Sequence, residues 1–478
     1  MSLGKNFNYR WILLTGIFLP ILSLNFLLPF AATAQENKQE LTSPEISLTP
    51  DDRIIILAPH PDDEVLGCGG IIQKSLSMKL PLKVVFLTYG DNNQWSFLVY
   101  RKHPVIKPKA VRIMGETRRE EALHAGKFLG LTPQQMIFLG YPDFRTLTLW
   151  RRHWGDDRPA AKSMLSRVNA VPYSNAFRPG APYKGDEIVK DLKNILREFN
   201  PTKVFLSHPA DHNPDHRALY LFTQIALWEL EDEIKPTLYP YLIHFKNWPK
   251  LKGYKPQAAL MPPAALNKEI RWSVVDLTTQ EIENNRNAIM AHRSQYISNS
   301  KYLLSFLRRN ELYGDFPQIL LKERGIKNSL VQHAQDYLNE LPEELIEEER
   351  VDFVGIEEEF LSLENKTLVF TLRLSRPIDS KITASLYVFG YRADSPFSNM
   401  PKLHVLLKTE SYRVYDQGKS LKAEIIEVDR KSREITIRIP LETLGNPERI
   451  LTSVRTYRGR VPLDWIEWRI LRLDHTGD

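Results

Sequence analysis

Two clusters of histidine and carboxylate side chains, each directly behind an apolar run, are the residues of this chain best suited to chemistry. The first, Ala58-Pro59-His60-Pro61-Asp62-Asp63-Glu64, follows Arg53-Ile54-Ile55-Ile56-Leu57. The second, Ser207-His208-Pro209-Ala210-Asp211-His212-Asn213-Pro214-Asp215-His216, follows Lys203-Val204-Phe205-Leu206. Two such clusters suggest one shared metal site. His60 and Asp63 are three apart, so if Pro61 opens a helix both turn toward one point while Asp62 projects differently and stays free. His216, arriving from a distant strand end, would complete a face of two histidines and one carboxylate with water in the remaining positions. That is the layout of a catalytic zinc site and not of a closed structural one. Zinc brings the pKa of its water to about 7, and Asp62 is the carboxylate expected to take that proton as general base. Glu64 is a partner for the second ring nitrogen of His60, with Asp211 competing for that post or for orienting His212.

Blander readings stand beside these. Asp62, Asp63 and Glu64 could simply occupy a first helical turn, where the macrodipole favours negative charge, but that leaves His60 without a reason. The second cluster could be a solvated polar loop with Asp215 near a helix start, and His208, His212 and His244 could make ordinary polar contacts. Cys68, in Gly67-Cys68-Gly69-Gly70, reads as a small buried residue.

The elements that must position these clusters alternate along the chain. Apolar strand candidates lie at 53–58, 82–88, 136–139, 203–207, 239–245 and 273–277, with helical periodicity at 62–79 and 115–131. This alternation predicts an α/β fold, a Rossmann-like, mostly parallel sheet flanked by helices. Its crevice lies beyond the carboxyl ends of the strands, where both clusters fall. Residues 144–186 interrupt the alternation with Trp150, Arg151, Arg152 and Trp154. That segment is either a lid that stacks on sugar rings or a loop whose tryptophans pin it to the core. From about residue 350 short runs alternate with period two, at 368–372, 382–389, 403–407, 423–428, 435–439 and 465–470, predicting a C-terminal antiparallel β-sandwich. Trp465 and Trp468, three apart in one such strand, would face opposite ways.

At 478 residues the chain is long enough for more than one core, and its 42% hydrophobic and 26% charged content is that of a soluble globular protein. A net charge of +6 predicts no nucleic-acid partner. Residues 1–34 read as an export signal: Lys5 and Arg10, an apolar run, then Ala32-Thr33-Ala34 as the small-residue cleavage pattern. The alternative is an uncleaved anchor, since a run of about 20 residues can span a bilayer; Pro20, Asn25 and Pro29 weaken it as a spanning helix. The expected organisation is a signal at 1–34, a linker at 35–50, a catalytic domain at 51–342, an acidic linker at 343–349 and a β-sandwich at 350–478. The expected location is periplasmic or extracellular, with membrane attachment only if the signal stays on. One cysteine permits no intramolecular disulfide.

The residues then resemble a known family, the zinc-dependent N-deacetylases called PIG-L or LmbE-like, which carry a His-Pro-Asp-Asp-Glu box and a later Pro-Asp-His box. The likeness runs from 60–64 through Thr88, Gly90, Arg118, Glu121, Ala125 and Leu129-Gly130 into Gly140-Tyr141-Pro142-Asp143. It continues in Asn213-Pro214-Asp215-His216-Arg217-Ala218 and, more loosely, in Ser294-Gln295 and 308–312, covering about residues 51–315. The resemblance implies that His60, Asp63 and His216 bind one zinc, or another divalent metal, and that Asp62 is the base. It also implies an N-acetylglucosamine-type substrate, a sugar or glycoconjugate. Many members carry a histidine three residues before the second zinc-binding histidine; this chain has Asn213 there. An amide can donate a hydrogen bond to an oxyanion but is no proton-donating acid, so that part would fall to Asp62, His212, His208 or His244. Two other functions fit the residues less well: a zinc hydrolase of a non-sugar N-acyl amide, and an inactive glycan-binding or envelope protein on the same scaffold.

Overall fold

The computed structural model describes residues 43–92, 107–266, 270–323, 325–332 and 345–474. The export signal at 1–34, most of the linker after it and residues 343–344 lie outside the described residues. Among the described residues no helix is long and apolar enough to cross a membrane.

The N-terminal half builds a seven-stranded sheet from β1 (Ile54–Ala58), β2 (Leu82–Thr88), β3 (Met136–Tyr141), β4 (Lys203–Ser207), β5 (Thr237–Tyr241), β6 (Trp272–Asp276) and β7 (Asn310–Gly314), in the order β3-β2-β1-β4-β5-β7-β6. The first five strands are parallel, and β7 and β6 add an antiparallel edge. All five residues of β1 are buried, as a central strand covered on both faces requires. The strand order reverses between β1 and β4, so the loops leaving these two strands open a crevice between them.

Helices cover both faces: α1 (Asp63–Ser77), α2 (Pro108–Leu129), α3 (Thr146–Arg152), α4 (Gly185–Phe199), α5 (Pro214–Trp228), α6 (Thr279–Ala291) and α7 (Arg293–Leu303). α1 lies against the sheet so closely that a Cβ at Gly67 would sit 2.5 Å from the Tyr241 ring. α5 is buried from Asp215 through Trp228, because the sheet packs on one side of it and the sandwich on the other.

The second half is a β-sandwich. One sheet runs β16-β17-β11-β10-β9, with β9 (Asn328–Gln332), β10 (Ile356–Glu364), β11 (Thr367–Leu374), β16 (Glu427–Lys431) and β17 (Glu434–Pro440). The other runs β15-β14-β13-β12-β18-β20-β8, with β19 (Val461–Trp465) paired on β18. Its members are β8 (Ile319–Lys322), β12 (Ile382–Tyr391), β13 (Lys402–Leu407), β14 (Tyr412–Asp416), β15 (Lys419–Leu421), β18 (Arg449–Arg458) and β20 (Arg469–Asp474). Between the sheets lies an apolar core that includes Leu361, Phe370, Leu386, Val405, Ile437 and Val454. The described residues belong to one compact unit, Thr42–Asp478.

The structure departs from the sequence expectations where tertiary contacts outweigh local pattern. The sandwich already begins at β8 and β9, ahead of the acidic stretch, because those strands find partners in β20 and β10. Glu45 bridges to Val274, so the end of the expected linker joins the edge of the first sheet. The strand expected over 239–245 ends at Tyr241, releasing Leu242 through Phe245 as a loop. The segment 423–428 is a turn followed by β16. The strand expected over 465–470 breaks between β19 and β20, so its two tryptophans do not face apart: Trp468 packs edge-on to Trp150 and Trp465 edge-on to His212. Trp150 and Trp154 are buried, packing on Phe222 and Phe397. They pin the segment 144–186 to α5 and the sandwich and leave no face to a sugar.

Candidate metal centre

Both clusters leave the carboxyl ends of neighbouring strands and meet over the crevice. The first box turns sharply at Asp62, whose φ of 136° is a strained backbone state for a residue with a Cβ. Arg118 of α2 holds that turn: its Nη2 donates to the Pro61 carbonyl at 2.7 Å and to Asp62 Oδ1 at 3.2 Å, and its Nη1 to the Gly90 carbonyl at 3.0 Å. Gly90, at φ +64°, has no room for a Cβ against that guanidinium. Asp63 and Glu64 then open α1, where their charge suits the helix N-terminus. The second box is capped by Asn213, whose Oδ1 accepts from the Asp215 amide at 2.9 Å, with Pro214 in the first turn of α5. This places His216 one turn into the helix, facing the first box.

One oxygen, Asp63 Oδ2, lies 3.1 Å from His60 Nδ1 and 3.1 Å from His216 Nε2. His60, Asp63 and His216 each offer a ligand atom, all within 4.8 Å of one another. The far nitrogen of His216, Nδ1, lies 3.1 Å from Asp211 Oδ2, so Asp211 fixes the tautomer that presents Nε2 to the crevice. The far nitrogen of His60, Nε2, faces Asp143 at 3.2 Å and Asp215 at 3.3 Å. Four buried carboxylates thus surround two imidazoles. Such a concentration of negative charge away from water suits a bound cation. Two further groupings, Asp211-His216-His244 and His60-Asp143-Asp215, are equally compact. In the latter, Asp215 is already used by the Phe144 amide and by Thr146, which tie down the loop before α3. In the first set, His60 and Asp63 line the cavity and His216 lies buried directly behind them, its Nε2 on the same Asp63 oxygen; this set of two imidazoles and one carboxylate fits a divalent metal such as zinc.

A cavity of about 240 Å³ lies over this set, lined by His60, Asp62, Asp63, Arg118, Asp143, Phe144, Asn213, His244 and, from α7, Gln295, Ser298 and Tyr302. α7 is held by Ser294, which meets the Glu121 carboxylate at 2.9 Å through its amide and 2.6 Å through its hydroxyl. Arg118 and Glu121, one turn apart on α2, therefore brace two opposite walls. Burial raises the Asp62 carboxyl to about 6 against the opposing pull of Arg118. Burial alone would lower His216, but Asp211 and Asp63 raise it to about 9. For His60, burial is likewise outweighed by Asp143, Asp215 and Asp63, which raise it well above the ordinary histidine value.

The remaining expected residues separate. Glu64 does not reach His60; it accepts from the Asp62 amide at 2.8 Å and meets His292 Nε2 at 2.9 Å, because helix α1 carries it to the side facing α6 and α7. His208 is buried, stacked on Trp272 and pushed down to about 4 by burial; it does not line the cavity. His212 turns its ring toward Phe245 and Trp465, on the outer rim. His244 stands on the cavity wall, its Nδ1 3.2 Å from Asp211 Oδ1 and its ring edge-on to His216 at 4.6 Å. Asp143, Phe144, Tyr302 and His292 carry no signal of their own in the sequence beyond Asp143's place in the family likeness.

Known proteins resemble this chain over part of its length. Residues 55–227 match the family model PIG-L, described as GlcNAc-PI de-N-acetylase. A protein of Bacteroides thetaiotaomicron described as glucosamine-6-phosphate deaminase-like is 21% identical over 297 residues, 54% of this chain and 38% of its own length. The 1D-myo-inositol 2-acetamido-2-deoxy-alpha-D-glucopyranoside deacetylase 1 of Saccharopolyspora erythraea is 25% identical over 198 residues, 40% of this chain and 58% of its own length. The chain thus spans less than two thirds of either curated relative. Among solved structures, the N,N'-diacetylchitobiose deacetylase of Pyrococcus horikoshii aligns at 20% identity over 55% of this chain and 82% of that one, with a TM-score of 0.34.

Proposed function

We propose that this chain is an exported, metal-dependent N-deacetylase that hydrolyses the acetamide of an N-acetylglucosamine-type sugar or glycoconjugate. The observation that carries the reading is the meeting of His60 and His216 on one Asp63 oxygen, with Asp62 on the wall of the same cavity. The PIG-L match over 55–227 and the deacetylase name of the Saccharopolyspora relative support it.

His60, Asp63 and His216 would hold one divalent ion, zinc or a close relative, which when bound supplies Lewis acidity toward the amide carbonyl and acidifies water. Asp62, held by Arg118 and raised to about 6, takes the proton of the attacking water and can return it to the leaving amine. Asn213 has spent its carbonyl oxygen on capping α5, which leaves its NH₂ group to donate to the oxyanion. Of the three histidines expected as alternatives to the missing family histidine, His244 is the one on the cavity wall, so it and not His212 or His208 would assist Asp62 in protonating the amine.

Elemental mass spectrometry of the chain starting at Gln35, wild type against His60→Ala/Asp63→Ala, tests the centre. Roughly one divalent metal per wild-type chain and none in the double variant is expected, with amine released from a panel of N-acetylglucosaminides by wild type alone. A folded wild type that takes up no metal would leave a binding protein on a deacetylase-like scaffold. Metal uptake with amine released only from non-sugar N-acyl amides would move the substrate and keep the chemistry.

A further inference from the structure

The outer face of the larger sandwich sheet meets α3 and α5 across a seam that holds three arginines. Arg455 stands on β18, in register with Ser385 of β12 and Trp465 of β19. Arg151 of α3 donates to the Tyr387 hydroxyl at 3.2 Å and lies 5.5 Å from the centre of that ring. Arg217 of α5 lies 5.3 Å from the centre of the Trp465 ring and donates to the His212 carbonyl at 3.2 Å.

Arg217 and Arg455 are each only 5% exposed. Nε and Nη1 of Arg217 and Nε and Nη2 of Arg455 are buried without a hydrogen-bond partner among the described residues. None of the three arginines forms an ion pair with a carboxylate among the described residues, and Asp211 and Glu467 act on Arg217 only from farther away. Arg145, whose Nε is also unpartnered, and the exposed Arg152 extend the positive charge along α3 toward Phe144 at the cavity mouth. The local potential is strong: burial would raise the Tyr457 hydroxyl, yet Arg455 and Arg151 bring it below its ordinary value. Guanidiniums left buried and unpaired are costly unless an anion completes them.

We propose that this seam is a phosphate-binding subsite in which Arg151, Arg217 and Arg455 receive the oxygens of a phosphate ester carried by the substrate. Planar guanidinium forks approaching from two helices and a strand suit a group with several oxygens pointing different ways. Arg217 directly follows His216 in the chain, and Asn213 at the start of the same helix lines the cavity of the metal centre. The substrate would then be a phosphorylated N-acyl sugar or phosphoglycoconjugate and not a neutral glycan. That identity rests on the deacetylase reading; the anion site itself does not.

The test is a titration of the chain starting at Gln35 with inorganic phosphate by calorimetry, at ionic strength held constant with chloride. Saturable binding is expected in wild type, weakened about tenfold or more in Arg455→Met and Arg151→Gln. It should persist within about twofold in His60→Ala/Asp63→Ala, which leaves the guanidiniums untouched. Without phosphate, Arg455→Met should melt at or above the wild-type temperature, because an unpaired buried charge has been removed. Wild type that responds to phosphate no more than to chloride overturns the proposal. So do arginine variants that bind like wild type, and binding that vanishes in the metal-ligand variant, which would put the phosphate on the metal. If Arg455→Met does not fold, wild type and Arg151→Gln decide. Phosphate binding without any amine release would instead count against the deacetylase reading alone.

Discussion

The crevice between β1 and β4 and the interior of the sandwich are both buried, yet they are filled by opposite chemistry. The crevice gathers Asp63, Asp143, Asp211, Asp215, His60 and His216, each 6% exposed or less. The sandwich interior is a run of Leu, Ile, Val and Phe from two facing sheets. A stable core needs only apolar area of the right volume, worth about 25 cal/mol per Å² removed from water. A cluster of buried ionisable groups stabilises nothing by itself and persists where the surrounding scaffold holds it for use. A charged-type residue breaches the sandwich pattern at Glu359, fully buried, with neither carboxyl oxygen hydrogen-bonded among the described residues.

Substitutions in the two regions should therefore separate function from stability. The largest effect falls on His60→Ala/Asp63→Ala: amine release drops below detection while circular dichroism and the melting profile stay folded. Next, Asp62→Asn should retain its metal and lose about 10²–10⁴ in kcat, read by elemental analysis beside the amine assay. A variant that keeps near-wild-type rates would remove Asp62 from the role of base. In the sandwich, Phe370→Ala or Ile437→Ala should lower stability by about 2–5 kcal/mol in denaturant titration, with kcat per folded molecule unchanged. A matching fall in kcat would show the two regions to be coupled.

The smallest effect is on pH dependence. Burial raises the Glu359 carboxyl from 4.5 to about 8. The folded state therefore binds more protons than the unfolded one between those values. Stability from this group is complete below about pH 4.5 and is lost as pH rises through about 8. Wild type should become progressively less stable across that window, and Glu359→Gln should flatten the loss. An unchanged slope in the variant would assign the pH dependence elsewhere.

Much of the site is legible in the amino-acid order, and the reason is local. His60 and Asp63 share a helix start, Asn213 and His216 share another, and strand-end placement follows from the apolar runs before them. What escaped was long-range. Glu64 meets His292, a contact 228 residues apart, and His60 meets Asp143 across β3, and no spacing in the chain announces either. His208, His212 and His244 look alike as residue types; only the end of β5 at Tyr241 and the packing of Trp465 sort one onto the cavity wall, one onto the rim and one into the interior.

Taken alone, the amino-acid order was enough to determine the layer architecture, the change from parallel sheet to sandwich and the two boxes, because periodicity, turn chemistry and caps act over a few residues. Tertiary structure alone decided which carboxylate orients which histidine, and that Trp150 and Trp154 serve packing. It also decided that three arginines from separate elements share one seam. Those outcomes depend on which faces of distant elements meet, and the energy that selects them comes from burial of the whole assembly and not from any local preference.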